Sequence, residues 1–359
     1  MTTQAVIPVA VVGGGRVASA VHIPLLLRRP DLFDLVAVVE PDSDRSTVLG
    51  REFSGLTVGA DLEVAFDKGA RAVICATPWP THRDIVTEVL DRGIDVLVEK
   101  PASLDPGDLK ALIAAEQISG ANVAVGYMKR HDPAAVRFVE LVSEQLDRVR
   151  RISVDIVDPD SPLQVAHRLI TPTAPKPESR VAAARIVAEV LADATAGQRT
   201  VYERGIGASL IHQINLVHTA LAPHSLVGHV AHGRHWANGS AAACGWWPSG
   251  EIAVQMSHIR LPGIPEYQER IEVVTDDARI LLEAGSPYLI EQGMRLTEFR
   301  ADRVTTHGFP AQSNGFVRQL EHWAAFLRRQ GPALPSTTEA LRDLTAAREA
   351  ALACTGVEE

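Results

Sequence analysis

The first third of the chain alternates short, wholly apolar runs with longer amphipathic stretches. Residues 9–12, 35–39, 72–76, 95–98 and 122–125 read as strands, with helices over 81–90 and 105–115. Strands written as continuous apolar runs are covered on both faces, so this alternation predicts an α/β domain built on a parallel, doubly wound sheet. Pro106 behind Asp105, and Pro133 behind Asp132, place a capping aspartate before a first-turn proline, the preferred start of a helix. From Arg151 the period changes to two. Ile152, Val154 and Ile156 alternate with polar residues, and runs at 227–235, 241–247, 251–259, 269–275 and 279–283 do the same. This predicts an α+β second domain with a largely antiparallel open sheet. The boundary falls between a first domain, 1–126, and a second, 127–359.

Between the first strand of the second domain and the helix that carries His212 lies Asp158 to Gly205. It opens with Pro159, Pro162, Pro172, Pro175 and Pro177 and continues as a helical run over 180–194 with Ala184, Val187, Val190 and Leu191 on one face. A substrate lid or insertion and an ordinary peripheral helix with a long loop are both consistent with it.

The first apolar run breaks at Gly13-Gly14-Gly15-Arg16-Val17-Ala18. A GxGxxA turn between strand and helix lets the helix start at once, leaves room for a pyrophosphate against the backbone at Gly15, and puts a small residue where helix meets sheet. The second run ends in Glu40, 22 residues beyond Ala18. A carboxylate there accepts from the adenosine 2′-hydroxyl and repels a 2′-phosphate, which favours NAD over NADP. Arg45, close by in sequence, is the feature that points the other way, and a solvated strand end is the plain alternative for Glu40.

The run over 94–98 leads into Glu99-Lys100-Pro101. Only five of the 35 basic residues are lysines, and one of them stands at the carboxyl end of a buried strand, where open α/β sheets bind ligands. Composition narrows the partner. At 359 residues and 46% hydrophobic content the chain can fill two cores. A net charge of −9 and a pI near 5.8 argue against nucleic acid or an anionic membrane as the partner. No stretch reaches the roughly 18 apolar residues of a membrane span. Three scattered cysteines fit a reducing cytoplasm rather than a disulfide framework or a zinc site. Six of the thirteen histidines lie between 212 and 235, but the three-residue steps of His229, His232 and His235 alternate faces of a strand and bring no carboxylate or thiolate with them, so no metal is expected. Trp246, Trp247 and Trp323 read as core or interface aromatics, and Trp79, directly after Thr77-Pro78, as a contact for cofactor or substrate.

Taken together, the glycine turn, the acid after the second strand, Thr77-Pro78 with His82, and Glu99-Lys100-Pro101 resemble the N-terminal domain of the Gfo/Idh/MocA oxidoreductases, the glucose-fructose oxidoreductase and inositol dehydrogenase family. The likeness continues through Gly126-Tyr127-Met128-Lys129-Arg130-His131-Asp132-Pro133, through Ile211-His212-Gln213-Ile214-Asn215-Leu216, and through the closing segment 316–354. The resemblance implies that Gly13, Gly15, Arg16, Val17, Glu40, Thr77, Pro78, Trp79, His82, Glu99 and Lys100 hold the dinucleotide. Lys100 and His212 would be the catalytic pair, Lys100 meeting an oxygen that becomes an alkoxide and His212 moving its proton. Tyr127, Lys129, Arg130 and Asn215 would bind substrate; a merely soluble cluster is the alternative for Lys129 and Arg130, and a core histidine for His212.

The implied reaction is NAD(P)-dependent hydride transfer to or from a hydroxyl- or keto-bearing carbon of a sugar, cyclitol or sugar derivative, in a cytoplasmic homodimer or homotetramer joined through the C-terminal sheet. One position departs from the family. An Asp or Asn usually precedes the histidine by four residues, and here Ala208 stands there, with Tyr202, Glu203, Arg204, Asn215 and His218 as nearby substitutes. The family also contains NAD-dependent glycosidases that oxidise a sugar transiently and non-catalytic dinucleotide-binding regulators, and Ala208 speaks for the second of these.

Overall fold

The computed structural model describes residues 5–159, 161–167, 176–236, 241–248, 251–310 and 313–356. They form two compact units. The first comprises Met1–Gly126, Val165–Ala183 and Gln319–Thr338; the second comprises Tyr127–Gln164, Ala184–Arg318 and Glu339–Glu359.

In the first unit, strands β1 (Ile7–Val12), β2 (Phe33–Val39), β3 (Val58–Gly59), β4 (Ala72–Cys75), β5 (Asp95–Val98) and β6 (Val123–Val125) make one sheet of order β3-β2-β1-β4-β5-β6, parallel throughout. Its centre is dry: Val9, Ala10, Val11, Ala72, Val73 and Ile74 are fully buried. That is why these strands are written as unbroken apolar runs. Strand order reverses between β1 and β4, and the carboxyl ends of those two strands flank the position where such sheets take ligands. β3 escaped the sequence pattern because two residues carry no period, yet it pins the end of β2: Glu40 N–H donates to Gly59 O at 2.8 Å.

The helix Pro106–Ser119 starts as its sequence dictates, with the Asp105 carboxylate accepting from Gly107 N–H at 2.7 Å, and runs four residues beyond the predicted end to a left-handed Gly120. The discontinuous segment 319–338 belongs to this unit for visible reasons. Trp323, fully buried, stacks on Phe33 at 5.7 Å, and Val125 N–H donates to Pro335 O at 2.8 Å beyond the β6 edge. Glu116 accepts from Val123 N–H at 2.7 Å and from the Thr337 hydroxyl.

The second unit holds β7 (Val149–Asp158), β8 (Val230–His235), β9 (Ala241–Trp246), β10 (Ala253–Arg260), β11 (Gln268–Thr275), β12 (Ala278–Ala284), β13 (Arg295–Arg300), β14 (Val304–His307) and β15 (Cys354–Gly356). They form a mixed, mostly antiparallel sheet of order β14-β13-β12-β11-β7-β10-β9-β8-β15, in which only β7/β10 and β8/β15 run parallel. The alternation that announced β7 is kept, with Ile152, Val154 and Ile156 buried on one face. The other face is polar, where Glu272 joins Arg151 at 2.9 Å and Arg279 at 2.8 Å.

β13 was not predicted because its inward positions include a charge: Glu298 is buried and bound to Arg300 at 2.6 Å. The helical run expected at 180–194 is the helix Pro177–Val190, but residues 160 and 168–175, with Pro172 and Pro175 of the proposed lid, lie outside the described residues. Among the described residues no helix is long and apolar enough to cross a membrane, and no group of three His, Cys, Asp or Glu residues is placed to hold a metal.

Candidate functional site

Gly13 leaves β1 with a φ of +96°, a conformation that L side chains resist, and a Cβ there would stand 2.8 Å from Ala76 O. Glycine is therefore required twice over, by backbone angle and by the approach of β4. At Gly15 a Cβ would meet nothing within 4 Å, so the turn is open on that side. The helix begins at Arg16, and Arg16 and Val17 are half-buried at its mouth.

Glu40 reaches back to this turn. Its Oε2 accepts from Gly14 N–H at 2.9 Å and its Oε1 from Asp42 N–H at 2.9 Å, which holds the carboxylate at the carboxyl end of β2. Arg45 does not extend toward that carboxylate's open side. It is 7% exposed, donating from Nε to Gly14 O at 2.7 Å and from a terminal nitrogen to the Ser19 hydroxyl. Its cation is thus built into the glycine turn, which the sequence could not show. A lysine does stand near the acid: Lys176, exposed, pairs with Asp42 at 2.8 Å, which raises its own pKa and lowers that of Asp42.

After β4, Thr77 is half-buried, Pro78 exposed and Trp79 half-buried, an open edge that suits a bound ring. His82 departs from its expected place on the dinucleotide. It is 1% exposed, its Nε2 2.8 Å from Thr77 O and its Nδ1 3.2 Å from Ala102 O, so it clamps the two turns after β4 and β5 from behind. Burial, against both carbonyl contacts, lowers its pKa.

Glu99 is likewise buried. Its Oε1 meets His22 Nε2 at 2.8 Å on the helix after the glycine turn, and its Oε2 accepts from Lys100 N–H at 3.2 Å. His22 is a brace that sequence reasoning passed over, since only folding brings a residue 77 positions away to Glu99. Lys100 is half-buried, and the peptide bond it shares with Pro101 is cis.

In the second unit, His212 is 8% exposed on the helix Ile211–Ala220, and the Tyr127 ring meets it edge-on, with centroids 6.0 Å apart. Tyr127 is 2% exposed, and burial, reinforced by Asp343 and Glu339, raises its hydroxyl pKa. The other expected substrate contacts are committed elsewhere. Lys129 is buried and paired with Glu269, with Tyr267 Oη 3.3 Å from its ammonium, while Arg130 pairs with Glu339 at 2.8 Å. A buried ammonium needs such a partner, and the sequence, which showed Lys129-Arg130-His131 as an open basic run, did not show it.

Asn215 is fully buried. Its amide donates to Asp343 Oδ2 at 2.6 Å, and the same aspartate takes His218 Nδ1 at 2.6 Å. Because Leu226 N–H donates to His218 Nε2 at 3.0 Å, the His218 proton sits on Nδ1 and the ring is the neutral donor to Asp343. Asn215 and His218 thus tie two helices of the unit together.

Residues 7–127 match the model of the Gfo/Idh/MocA oxidoreductase family, NAD-binding Rossmann fold. Inositol 2-dehydrogenase 4 of Saccharopolyspora erythraea is 36% identical over 127 residues, 35% of this chain and 37% of that protein. The scyllo-inositol 2-dehydrogenase (NAD(+)) of Bacillus subtilis is 36% identical over 101 residues, 28% and 30% of the two chains. The chain thus spans 37% and 30% of the length of these two curated relatives. Over the whole chain, a variant of a 3-ketoreductase from Actinomadura kijaniata, solved with TDP-benzene and NADP, superposes with a TM-score of 0.73 at 18% identity, covering 98% of this chain and 99% of that one. At that identity the likeness is one of fold. Over residues 7–127 the chain is thus similar to the NAD-binding Rossmann domain of the Gfo/Idh/MocA oxidoreductase family.

Proposed function

We propose that the chain is an NAD-dependent oxidoreductase that moves a hydride between nicotinamide and a hydroxyl- or keto-bearing carbon of a cyclitol, sugar or sugar derivative. The observation that carries this reading is the glycine turn with Glu40 fastened beside it: a backbone open at Gly15 and a carboxylate held at the carboxyl end of β2 by two N–H donors, the arrangement a dinucleotide-binding turn calls for. These residues fit a dinucleotide. Gly13, Gly15, Arg16 and Val17 would hold its pyrophosphate, Glu40 its ribose, and Thr77, Pro78 and Trp79 the stretch toward the nicotinamide, which would supply the hydride acceptor or donor. Glu40, and the engagement of Arg45 in the turn, favour NAD over NADP.

The chain's own residues supply positioning and proton handling. Glu99 and His82 brace the turns that carry Lys100 and Thr77. The Lys100 ammonium stabilises the oxygen as it gains charge, and His212 takes the hydroxyl proton in oxidation and returns it in reduction. Tyr127 fixes the imidazole from the side. The inositol dehydrogenases among the relatives support a cyclitol-like substrate. A cytoplasmic location and assembly as a homodimer or homotetramer through the C-terminal sheet belong to the same proposal.

Ala208 favours a second reading, a regulator that binds dinucleotide without turnover. Lys100→Met separates the two. It is expected to abolish turnover while calorimetry finds NAD affinity nearly unchanged. Full activity in the variant would remove Lys100 from the mechanism; tight NAD binding by a wild-type chain that turns over no polyol or ketone would favour the regulator.

A further inference from the structure

The helix that carries His212 changes pitch just before it. Val201–Leu210 is π-helical and Ile211–Ala220 α-helical. Nine residues separate Glu203 from His212. In an α-helix that spacing would set them about 180° apart, on opposite faces. With i→i+5 bonding and roughly 4.4 residues per turn, it is about two turns, which returns Glu203 to the side of His212.

Burial shows the same stripe independently. Glu203, Ala208 and Ser209 are half-buried and Arg204 is exposed, whereas every other residue over 201–218 is buried, His212 at 8% exposure. The opposite side of the helix lies on the sheet, where a Cβ at Gly205 would stand 3.8 Å from His258 Nδ1. The accessible edge is therefore an acid at one end, a histidine at the other, and two small side chains between. Two turns span roughly 10 Å, room for a six-membered ring above Ala208 and Ser209.

We infer that Glu203 is a substrate-binding residue, its carboxylate accepting hydrogen bonds from substrate hydroxyls while His212 handles the reacting one. Of the other polar candidates on this helix, Asn215 and His218 are bound to Asp343. Burial raises the Glu203 pKa, and adjacent Arg204 partly offsets it, as for an acid held in a cleft rather than on an open surface. A carboxylate at this place selects a neutral, hydroxyl-rich substrate and disfavours one that presents a phosphate there.

The inference rests on the oxidoreductase reading, and one experiment separates their failures. Wild type, E203Q and E203Q/A208D are assayed with NAD against inositol isomers, neutral hexoses and a hexose phosphate, and melting temperatures report folding. If the wild type oxidises none of the neutral polyols, the oxidoreductase reading falls and this inference with it. If it oxidises one, E203Q is expected to raise the KM for that polyol about tenfold or more with the KM for NAD unchanged, and restoring an acid at 208 is expected to recover part of the loss. An unchanged polyol KM in E203Q, an equal rise in the KM for NAD, or a preference of the wild type for the hexose phosphate would overturn it.

Discussion

Gly13 and Glu40 were legible in the sequence because each acts through its own backbone position or strand end. Gly13 needs both a positive φ and the absence of a Cβ 2.8 Å from Ala76 O. Gly13→Ala is therefore expected to cost about 3 kcal/mol or more of stability, read as a lowered denaturation midpoint. His82 was legible as a position but not as a role. The family resemblance placed it at the cofactor, whereas the ring turns inward to the carbonyls of Thr77 and Ala102. Burial lowers its pKa, so below about pH 6.5 the unfolded chain takes up a proton that the folded chain refuses. The stability His82 supplies is present above that pH and is lost as pH falls toward the folded value. Melting temperatures at about pH 7.5 and 5.5 should show a smaller acid loss for His82→Gln than for wild type; an equal loss would assign the acid sensitivity to other groups.

At the scale of elements, the parallel sheet and the alternating strands of the second unit were readable from period alone, and what period does not encode was missed. β3 is two residues long, β13 buries Glu298, and β15 follows a helix without turn residues. Pitch was equally invisible: no local signal marks 201–210 as π-helical, and counting four residues back from His212 leads to Ala208 rather than to Glu203. Partners distant in sequence form the third gap. Lys129 read as a substrate contact or part of a soluble cluster because Glu269, on β11, lies 140 residues away. Removing one partner strands a buried charge, so Lys129→Met should cost about 3–5 kcal/mol, while the double replacement Lys129→Met with Glu269→Leu should recover most of it in a double-mutant cycle. Additive costs would show that the pair does not interact.

For the whole molecule, the period changes only at Arg151, beyond Gly126 where the first segment of the first unit ends, and the return of 165–183 and 319–338 to that unit was not legible, since Trp323 against Phe33 and Pro335 beside β6 are contacts of the folded chain. In the first unit Glu40 is fastened to the glycine turn through Gly14 N–H, and Arg45 donates to Gly14 O of the same turn. The central claim is that this site serves hydride transfer, and isotope transfer tests it most directly. Incubation of the chain with NAD and an inositol deuterated at its ring carbons, followed by mass spectrometry of the coenzyme, should find deuterium on the reduced nicotinamide of wild type and none with Lys100→Met. NAD bound tightly by wild type but carrying no deuterium after exposure to the inositols and neutral sugars would contradict the account.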